Sequence, residues 1–280
     1  MHEPGSCERP DLSLAVVVGA GGMARAIARR LGHSYRLLIA DRDADVLDSL
    51  AVALKQEGVD AQTHCCDITS DDDVASLVAR AGDLGPPRVL VHVVGLSPSM
   101  GDFDAIIAVN LIGARRIERA FLPLAMSGSC AIFISSMGGH MDGVTPPVQS
   151  LMDGDPLVPG FGERFAQAVD QPGTPNLAYQ LSKFAMNRMC RREAFVWGQR
   201  GARIISLSPG LIATPMGALE FERQPMKYDL LSATPLQREG TMAEISGVVE
   251  FLASDRASFI TGTDILVDGG LVAALRHPVR

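Results

Sequence analysis

Residues 12–31 of the chain, LSLAVVVGAGGMARAIARRL, contain its clearest structural signal. The first part (12–19) is a run of mostly branched apolar residues, which is typical of a buried strand. The last part (22–31) has apolar residues at intervals of three and four, which favours a helix. The turn GAGGMA (19–24) joins them with the pattern G-x-G-x-x-A. The stretch therefore predicts a strand, a tight turn and a helix, in that order.

The alternation of strand and helix continues along the chain. Apolar runs predict further strands at 35–41, 59–67, 88–95, 129–136, 202–208 and 263–270, and helical spacing predicts helices at 44–58, 70–82, 103–125, 179–200 and 241–254. Continuous apolar strands joined by helices indicate a parallel sheet covered on both faces. We predict a single α/β domain over residues 12–280, a doubly wound, mostly parallel sheet of the Rossmann type, after a flexible tail (1–11).

An insertion, residues 138–176, interrupts this alternation. Its first part is rich in glycine and proline, and its second part places Phe161, Phe165 and Val169 on one helical stripe. A lone exposed apolar stripe is unfavourable, so we expect it to be buried. Two burial sites are open: over a bound substrate as a lid, or against a second subunit.

The composition excludes several classes of function. Hydrophobic residues make up 47% and charged residues 20%, which indicates a globular protein, and the net charge of −7 argues against a nucleic-acid surface. The first eleven residues contain no apolar segment of the kind that a leader peptide has, and no apolar run reaches membrane-spanning length, so we expect a cytoplasmic protein without a membrane partner. The five cysteines lack C-x-x-C spacing, which favours reduced thiols over a metal site.

The glycine-rich turn indicates a cofactor. Gly19 permits the tight turn, Gly21 lets a pyrophosphate approach the backbone, and Ala24 allows the helix to pack closely on the strand. The start of the helix, at Gly22 and Met23, offers free N–H groups to phosphate oxygens. Because a strand precedes the turn and a helix follows it, the pattern predicts dinucleotide binding.

Asp41 ends the second predicted strand, roughly 20 residues after the turn, at the spacing of a ribose-binding acid. A carboxylate that bonds the ribose hydroxyls repels a 2′-phosphate, which favours NAD over NADP. Arg42 is the argument for NADP, since its cation can turn onto that phosphate. We predict NAD as the cofactor.

Other polar residues stand where predicted strands end, the edge at which an open α/β sheet places its ligand crevice. Asp67 follows the third strand, either as a turn acid or as a cofactor contact. Gly95 follows the fourth strand, and Ser136 ends the fifth. Asn110 stands inside an apolar helical run, where an amide needs hydrogen-bond partners.

Tyr179 and Lys183 are four residues apart and share one face of a helix. A half-buried aromatic covered by a lysine stem would have the same spacing. A cation about 4 Å from the phenol contributes about 4 kcal/mol at an effective dielectric constant of ~20, which lowers the tyrosine pKa from its usual ~10 toward neutral. Such a tyrosine can donate a proton to a carbonyl oxygen.

The glycine turn, the acid after the second strand, and Asn110, Ser136 and Tyr179-x-x-Ser182-Lys183 together resemble the short-chain dehydrogenase/reductase family. The resemblance covers the chain from about residue 12 and includes SPGLIATPM (208–216) and TGTDILVDGG (261–270).

The resemblance implies a catalytic tetrad of Asn110, Ser136, Tyr179 and Lys183. Tyrosine would donate the proton, serine would hold the substrate oxygen, and asparagine would hold a water that relays protons to the lysine. The implied cofactor contacts are Gly19, Gly21, Gly22, Met23, Asp41, Arg42, Asp67, Ile68, Gly95, Tyr179, Lys183, Pro209, Gly210, Ile212 and Thr214. Among these, the Ile212 backbone and the Thr214 hydroxyl would hold the nicotinamide carboxamide.

The segments LVPGF (157–161), NLAYQLSK (176–183) and VDGGLVAALRHP (267–278) are similar to the bacterial 3α-hydroxysteroid dehydrogenase/carbonyl reductase subgroup. This resemblance implies an NAD-dependent oxidoreductase acting on a hydrophobic secondary alcohol or ketone, such as a hydroxysteroid. The alternatives are an acyl-chain ketone or a polyol as substrate, and a non-catalytic dinucleotide sensor. Because the helix near Tyr179 packs between subunits in the family, we expect a homodimer whose interface includes the insertion.

Two features depart from the family pattern. His92-Val93-Val94-Gly95 stands in place of Asn-Asn-Ala-Gly, which removes hydrogen bonds that tie this strand to its neighbours. The glycine turn is also one residue shorter than the family's common form.

Overall fold

A parallel sheet of seven strands forms the centre of the protein in a computed structural model, which describes residues 12–141, 143–169, 173–215, 217–218, 221 and 226–277. The predicted tail (1–11) lies outside these residues. The strands are β1 (Leu14–Val18), β2 (Arg36–Asp41), β3 (Ala61–Cys65), β4 (Val89–His92), β5 (Cys130–Ile134), β6 (Arg203–Pro209), β7 (Ile212–Ala213), β8 (Gly240–Thr241) and β9 (Asp264–Val267). The large sheet has the order β3-β2-β1-β4-β5-β6-β9, and β7 pairs with β8. The predicted fold, a doubly wound parallel sheet, is confirmed.

Helices cover both faces of the sheet. They are α1 (Gly22–Leu31), α2 (Ala44–Gln56), α3 (Asp71–Leu84), α4 (Phe103–Ile107), α5 (Ala114–Phe121), α6 (Pro146–Met152), α7 (Phe161–Ala168), α8 (Pro175–Gln199), α9 (Met226–Ala233), α10 (Met242–Ala253) and α11 (Leu271–Arg276). Tighter 3₁₀ turns occur at Leu122–Leu124, Met137–His140 and Asp255–Ala257. Within the described ranges, no helix is both long enough and apolar enough to cross a membrane.

The strands are apolar throughout because each face of the sheet has its own core. On one face, alternate strand residues such as Ala15 and Val17 pack with side chains of α1, α2 and α10. On the other face, Val16 and Val18 pack with side chains of α3, α5 and α8. The chain passes from β1 outward to β3 and then returns to β4 on the other side of β1, so the ends of β1 and β4 form a switch point where ligands bind in such folds.

Two predicted helices differ from the structure in ways that affect the site. The run predicted as one helix (103–125) contains a π-helical turn, Ala108–Gly113, between α4 and α5. Helix α8 begins at Pro175, one turn before the predicted start at 179, because the Thr174 hydroxyl accepts a hydrogen bond from the Leu177 N–H at 3.2 Å and proline suits the first helical position.

The apolar stripe of the predicted insertion is buried, but in neither of the places expected. Phe161, Phe165 and Val169 pack in a third core cluster with α4, α6 and α8 of the same chain. The Phe165 ring lies 5.6 Å from the Phe161 ring and 6.4 Å from the Phe103 ring, between centroids. The expectation of a lid or a subunit contact is therefore wrong for this stripe, because α4 offers an apolar face that the sequence pattern did not connect with it.

Candidate active site

A cleft of about 550 Å³ opens at the carboxyl ends of the central strands. Every predicted site residue lines this cleft except Asn110, which is fully buried beside it. Its rim includes Gly138, Met141 and Asn176, so the ends of the predicted insertion reach the cleft although its apolar stripe does not.

The glycine turn forms one wall of the cleft. Gly19 has a φ of +118°, which only glycine adopts at little cost, and a Cβ atom there would lie 3.2 Å from the Val94 backbone nitrogen. A Cβ atom at Gly21 would meet nothing within 4 Å, so the turn leaves open space in front of α1. No side chain caps the amino end of α1, and its first N–H groups remain available to an anion. These features fit the pyrophosphate of a dinucleotide.

Asp41 is tied to the glycine turn. Its Oδ2 atom accepts a hydrogen bond from the Ala20 N–H at 2.8 Å, and its Oδ1 atom accepts one from the Asp43 N–H at 3.1 Å. Each carboxylate oxygen has a second lone pair for a ligand hydroxyl. Arg42 also lines the cleft, so the acid that favours NAD and the cation that favours NADP both border it.

The Asp67 side chain accepts hydrogen bonds within a turn, and the residue also lines the cleft. Its Oδ1 atom accepts hydrogen bonds from the Thr69 N–H at 2.8 Å and the Thr69 hydroxyl at 2.7 Å. The backbone bond from Thr69 is the main cause that lowers the pKa of Asp67, and the nearby Arg42 cation adds to it. The neighbouring Ile68 is buried and also borders the cleft. Both interpretations of Asp67 are therefore compatible with its position.

Asn110 lies in the π-helical turn, and hydrogen bonds to both ends of its buried amide explain a polar residue in an apolar helix. Its Oδ1 atom accepts from the Leu96 N–H at 2.7 Å, and its Nδ2 atom donates to the Leu96 carbonyl at 2.9 Å and to Ser182 Oγ at 3.4 Å. A Cβ atom at Gly95 would lie 3.3 Å from Lys183 Nζ and 3.4 Å from Asn110 Oδ1. Gly95 therefore leaves the room in which the amide and the lysine approach each other.

Lys183 is one of the few buried cations of the described chain. Its ammonium donates to the Ile134 carbonyl at 3.0 Å and lies 5.8 Å from the centre of the Tyr179 ring. Burial lowers the pKa of Lys183 to about 8. The two side chains share one face of α8, as their spacing predicts, and both border the cleft.

Ser136 follows β5 by two residues, directly before the 3₁₀ turn Met137–His140, and borders the same cleft. Its Oγ atom accepts a hydrogen bond from the Gly138 N–H at 3.1 Å. A Cβ atom at Gly138 would lie 3.3 Å from Tyr179 Cε1, so the turn after the serine rests directly on the tyrosine ring. The site thus presents a hydroxyl, a phenol and an ammonium group to one end of the cleft.

The segment after β6 closes the opposite wall. Pro209, Gly210, Ile212 and Thr214 all border the cleft. A Cβ atom at Gly210 would lie 2.6 Å from the Asp268 Cα atom, so this close approach requires glycine. The Thr214 hydroxyl oxygen accepts a hydrogen bond from the Gly217 N–H at 2.8 Å, which fixes its orientation.

The sequence analysis assigns no role to two serines that support the site. Ser135 donates through Oγ to the Lys183 carbonyl at 3.1 Å, and Ser182 donates to the Tyr179 carbonyl at 2.8 Å while it receives the Asn110 amide. Neighbouring residues on an extended strand point to opposite sides, so the pair Ser135-Ser136 could have indicated one support and one cleft residue.

His92, which replaces a family asparagine, is fully buried beside Phe133, with ring centres 5.3 Å apart. Burial, together with the charge of Lys183, lowers the pKa of His92 to about 3. The imidazole is therefore neutral at physiological pH. It adds no positive charge behind Lys183.

Comparisons with known proteins agree with this geometry. A family described as short chain dehydrogenase matches residues 13–148, and one described as Enoyl-(Acyl carrier protein) reductase matches residues 166–272. Short-chain dehydrogenase/reductase bsc3 of Alternaria brassicicola is 35% identical over 94% of this chain and 97% of its own. The 3-alpha-hydroxysteroid dehydrogenase/carbonyl reductase of Comamonas testosteroni is 29% identical over 92% of this chain and 94% of its own. A solved actinorhodin polyketide ketoreductase with NADPH shares the fold, with a TM-score of 0.76 and 22% identity over 94% of this chain and 98% of its own.

Proposed function

The chain belongs to the short-chain dehydrogenase/reductase family, whose members bind a nicotinamide dinucleotide, and we propose that it transfers hydride between NAD(H) and a hydrophobic secondary alcohol or ketone. One observation carries this proposal: Ser136, Tyr179 and Lys183 border the same end of the cleft, with Asn110 bonded behind them. A bound nicotinamide supplies or accepts the hydride. The chain's own residues bind the substrate, orient it and move the proton.

Tyr179 donates the proton to the substrate oxygen during reduction and takes it back during oxidation. The Lys183 cation favours the ionised phenol, and its compact ammonium has donors left for a ribose hydroxyl and a water after it bonds the Ile134 carbonyl. Ser136 donates a hydrogen bond to the substrate oxygen. Asn110, held at Leu96 and Ser182, positions the water that returns protons to Lys183.

The choice of NAD rests on Asp41. Its carboxylate is anchored at the glycine turn, where a 2′-phosphate would bring further negative charge against it. Arg42 lines the same region and is the residue that would take over if NADP were preferred.

The substrate class follows from the rest of the lining. The cleft residues not assigned to the nucleotide are mostly apolar, among them Leu96, Pro98, Met100, Met137, Met141, Leu211, Met226 and Leu230. An apolar wall favours a hydrophobic substrate, and flexible methionines adapt to bulky shapes. A polyol would leave many hydroxyls without partners on such a wall. A hydroxysteroid fits these requirements, and the Comamonas testosteroni relative supports it.

A dinucleotide sensor without catalysis is the alternative from another class. A sensor needs the glycine turn and Asp41 but gains nothing from Tyr179 beside a buried Lys183. The test is formation of reduced nicotinamide from NAD or NADP with a panel of hydroxysteroids, aliphatic secondary alcohols and polyols. We expect the highest kcat/KM with NAD and a hydroxysteroid. Tight nucleotide binding without turnover on any alcohol or ketone would establish the sensor instead.

We further propose that residues 12–280 act as one catalytic domain, with 138–176 as an insertion, and that the protein is a cytoplasmic homodimer. Phe195, with 73% of its surface exposed, and Val196 lie on the outer side of α8 and support a subunit contact there. Mass in solution tests this, and a monomer at all concentrations would contradict it.

A further inference from the structure

A buried acid pairs with a histidine close to the catalytic serine. Asp264, the first residue of β9, has a side chain that is 1% exposed. Its Oδ2 atom lies 2.7 Å from His140 Nε2, and its Oδ1 atom accepts from the Ser208 hydroxyl at 2.8 Å. A buried carboxylate is costly unless it is paired and hydrogen-bonded, so this arrangement holds the imidazole firmly in place.

His140 is the last residue of the 3₁₀ turn that begins directly after Ser136. The turn is closed by hydrogen bonds from the Gly138 N–H to Ser136 Oγ and from the Gly139 N–H to the Ser136 carbonyl, at 3.1 and 3.0 Å. A shift of His140 therefore moves Gly138, and with it the orientation of the serine hydroxyl.

The same turn is pressed against the catalytic face of α8. A Cβ atom at Gly139 would lie 2.8 Å from the Lys183 carbonyl carbon, and one at Gly138 would lie 3.3 Å from the Tyr179 ring. Packing alone keeps the turn from moving toward α8. The bond to Asp264 keeps it from moving away.

Two further hydrogen bonds extend this anchor. Arg276 of α11 donates to the His140 carbonyl at 2.6 Å. Asn187, one helical turn beyond Lys183, donates to Ser208 Oγ at 3.5 Å. The pair thus connects the serine turn to the edge strand, to the C-terminal helix and to the helix that carries Tyr179 and Lys183.

We propose that His140 and Asp264 are positioning residues that hold the Ser136 hydroxyl at the distance from Tyr179 that hydride transfer requires. This role rests on the proposed function. Neither residue touches the reacting atoms. They act through the serine turn, and a misplacement of about 1 Å at such a site can cost ~10²-fold in rate.

The test removes the pair without leaving a buried charge. In the variant His140→Phe with Asp264→Leu, apolar groups of similar volume replace both partners, a change that folded proteins often tolerate. We expect kcat to fall by about 10- to 100-fold while nucleotide affinity stays within about twofold. His140→Gln keeps an N–H donor near the position of Nε2 and should retain most of the turnover.

The same double replacement, made in an enzyme that already carries Ser136→Ala, distinguishes a positioning role from a general loss of stability. In Ser136→Ala enzyme the hydroxyl to be positioned is gone, so adding the double replacement should lower kcat by less than about twofold. A structural role would lower kcat by the same factor in both backgrounds. If the double variant does not fold, His140→Ala is measured with and without added imidazole, and we expect imidazole to restore turnover.

The turnover of wild type and of Tyr179→Phe is measured in the same assay as that of the double variant. Turnover in wild type that Tyr179→Phe abolishes supports the proposed function, and wild-type kcat in the double variant would then overturn only the positioning role. An equal loss in both serine backgrounds, or no effect of imidazole on His140→Ala, would overturn it as well. Absence of turnover in wild type would overturn the proposed function itself.

Discussion

The two ends of the cleft are built in different ways. The cofactor end consists of backbone turns and strand ends, and its key bonds join neighbouring strands, such as Gly19 N–H to the Ala40 carbonyl and Ala20 N–H to Asp41. The catalytic end consists of side chains from distant segments, joined by Asn110 to Ser182 and by Lys183 to Ile134. We infer that the first end supplies most of the contacts to the nucleotide, although Tyr179 and Lys183 border the same cleft. Loss of the Tyr179 hydroxyl should therefore abolish turnover and largely spare binding, whereas changes at the cofactor end should alter which nucleotide is used.

The largest expected effect is that of Tyr179→Phe. It removes the proton donor and keeps the ring that packs against Gly138. We expect kcat to fall by roughly 10² to 10⁴, the range for a lost general acid, with nearly unchanged NAD affinity. Single-turnover kinetics and NAD titration measure the two quantities separately. Near-normal kcat would contradict the mechanism, and a large loss of NAD affinity would contradict the independence of the two ends.

Phe165→Ala tests the region that neither end explains, the apolar stripe of the insertion. The Phe165 side chain is fully buried between Phe161 and Phe103. We expect a loss of about 3–5 kcal/mol in unfolding free energy, the usual cost of emptying a buried phenylalanine site. Urea unfolding measures it, with Phe259→Ala as the control. Phe259 is fully exposed, so its replacement should cost less than about 0.5 kcal/mol. If Phe165→Ala changes the mass of the protein in solution but leaves its unfolding free energy unchanged, the stripe belongs to a subunit contact.

Lys183 gives the catalytic end a pH dependence in the alkaline range. Burial lowers the pKa of Lys183 from 10.5 to about 8, so between these values the unfolded chain holds a proton that the folded chain has released. Stability therefore rises with pH across this window. Without nucleotide, wild type should gain on the order of 1–3 kcal/mol relative to Lys183→Met between pH 8 and pH 10. Urea unfolding at several pH values checks this, and parallel curves for the two proteins would contradict it.

The same difference between the two ends determines what the sequence predicts. The strands, the glycine turn and Asp41 follow local patterns, and the structure brings them to one edge of the sheet. The grouping of Asn110, Ser136, Tyr179 and Lys183 into one site came from a family resemblance, because no local pattern states which distant side chains will meet. The four-residue spacing placed only Tyr179 and Lys183 together, on one face of a helix.

Some features follow from neither a local sequence pattern nor the family resemblance, and for these the sequence gives no prediction or a wrong one. Nothing in the local sequence pairs His140 with Asp264, which stands 124 residues away. The sequence pattern shows that the stripe around Phe165 is apolar, but its partner Phe103 lies in another segment, and the expected burial site is wrong.

The smallest expected effect is at the cofactor end, where Asp41→Ala should change the choice of nucleotide. The carboxylate is the group that would repel a 2′-phosphate, and Arg42 beside it remains to attract one. Loss of the bond from the Ala20 N–H should also loosen the glycine turn and weaken binding of both nucleotides. We therefore expect the ratio of kcat/KM for NAD over NADP to fall about tenfold, equivalent to ~1.4 kcal/mol, while kcat at saturating NAD changes little.

Steady-state kinetics with each nucleotide and one alcohol provide the measurement, and Arg42→Ala is the matched control, which should shift the ratio in the opposite direction. If wild type already prefers NADP, the assignment passes from Asp41 to Arg42. If Asp41→Ala lowers kcat as strongly as Tyr179→Phe does, the two ends of the cleft are coupled and do not act as separate parts.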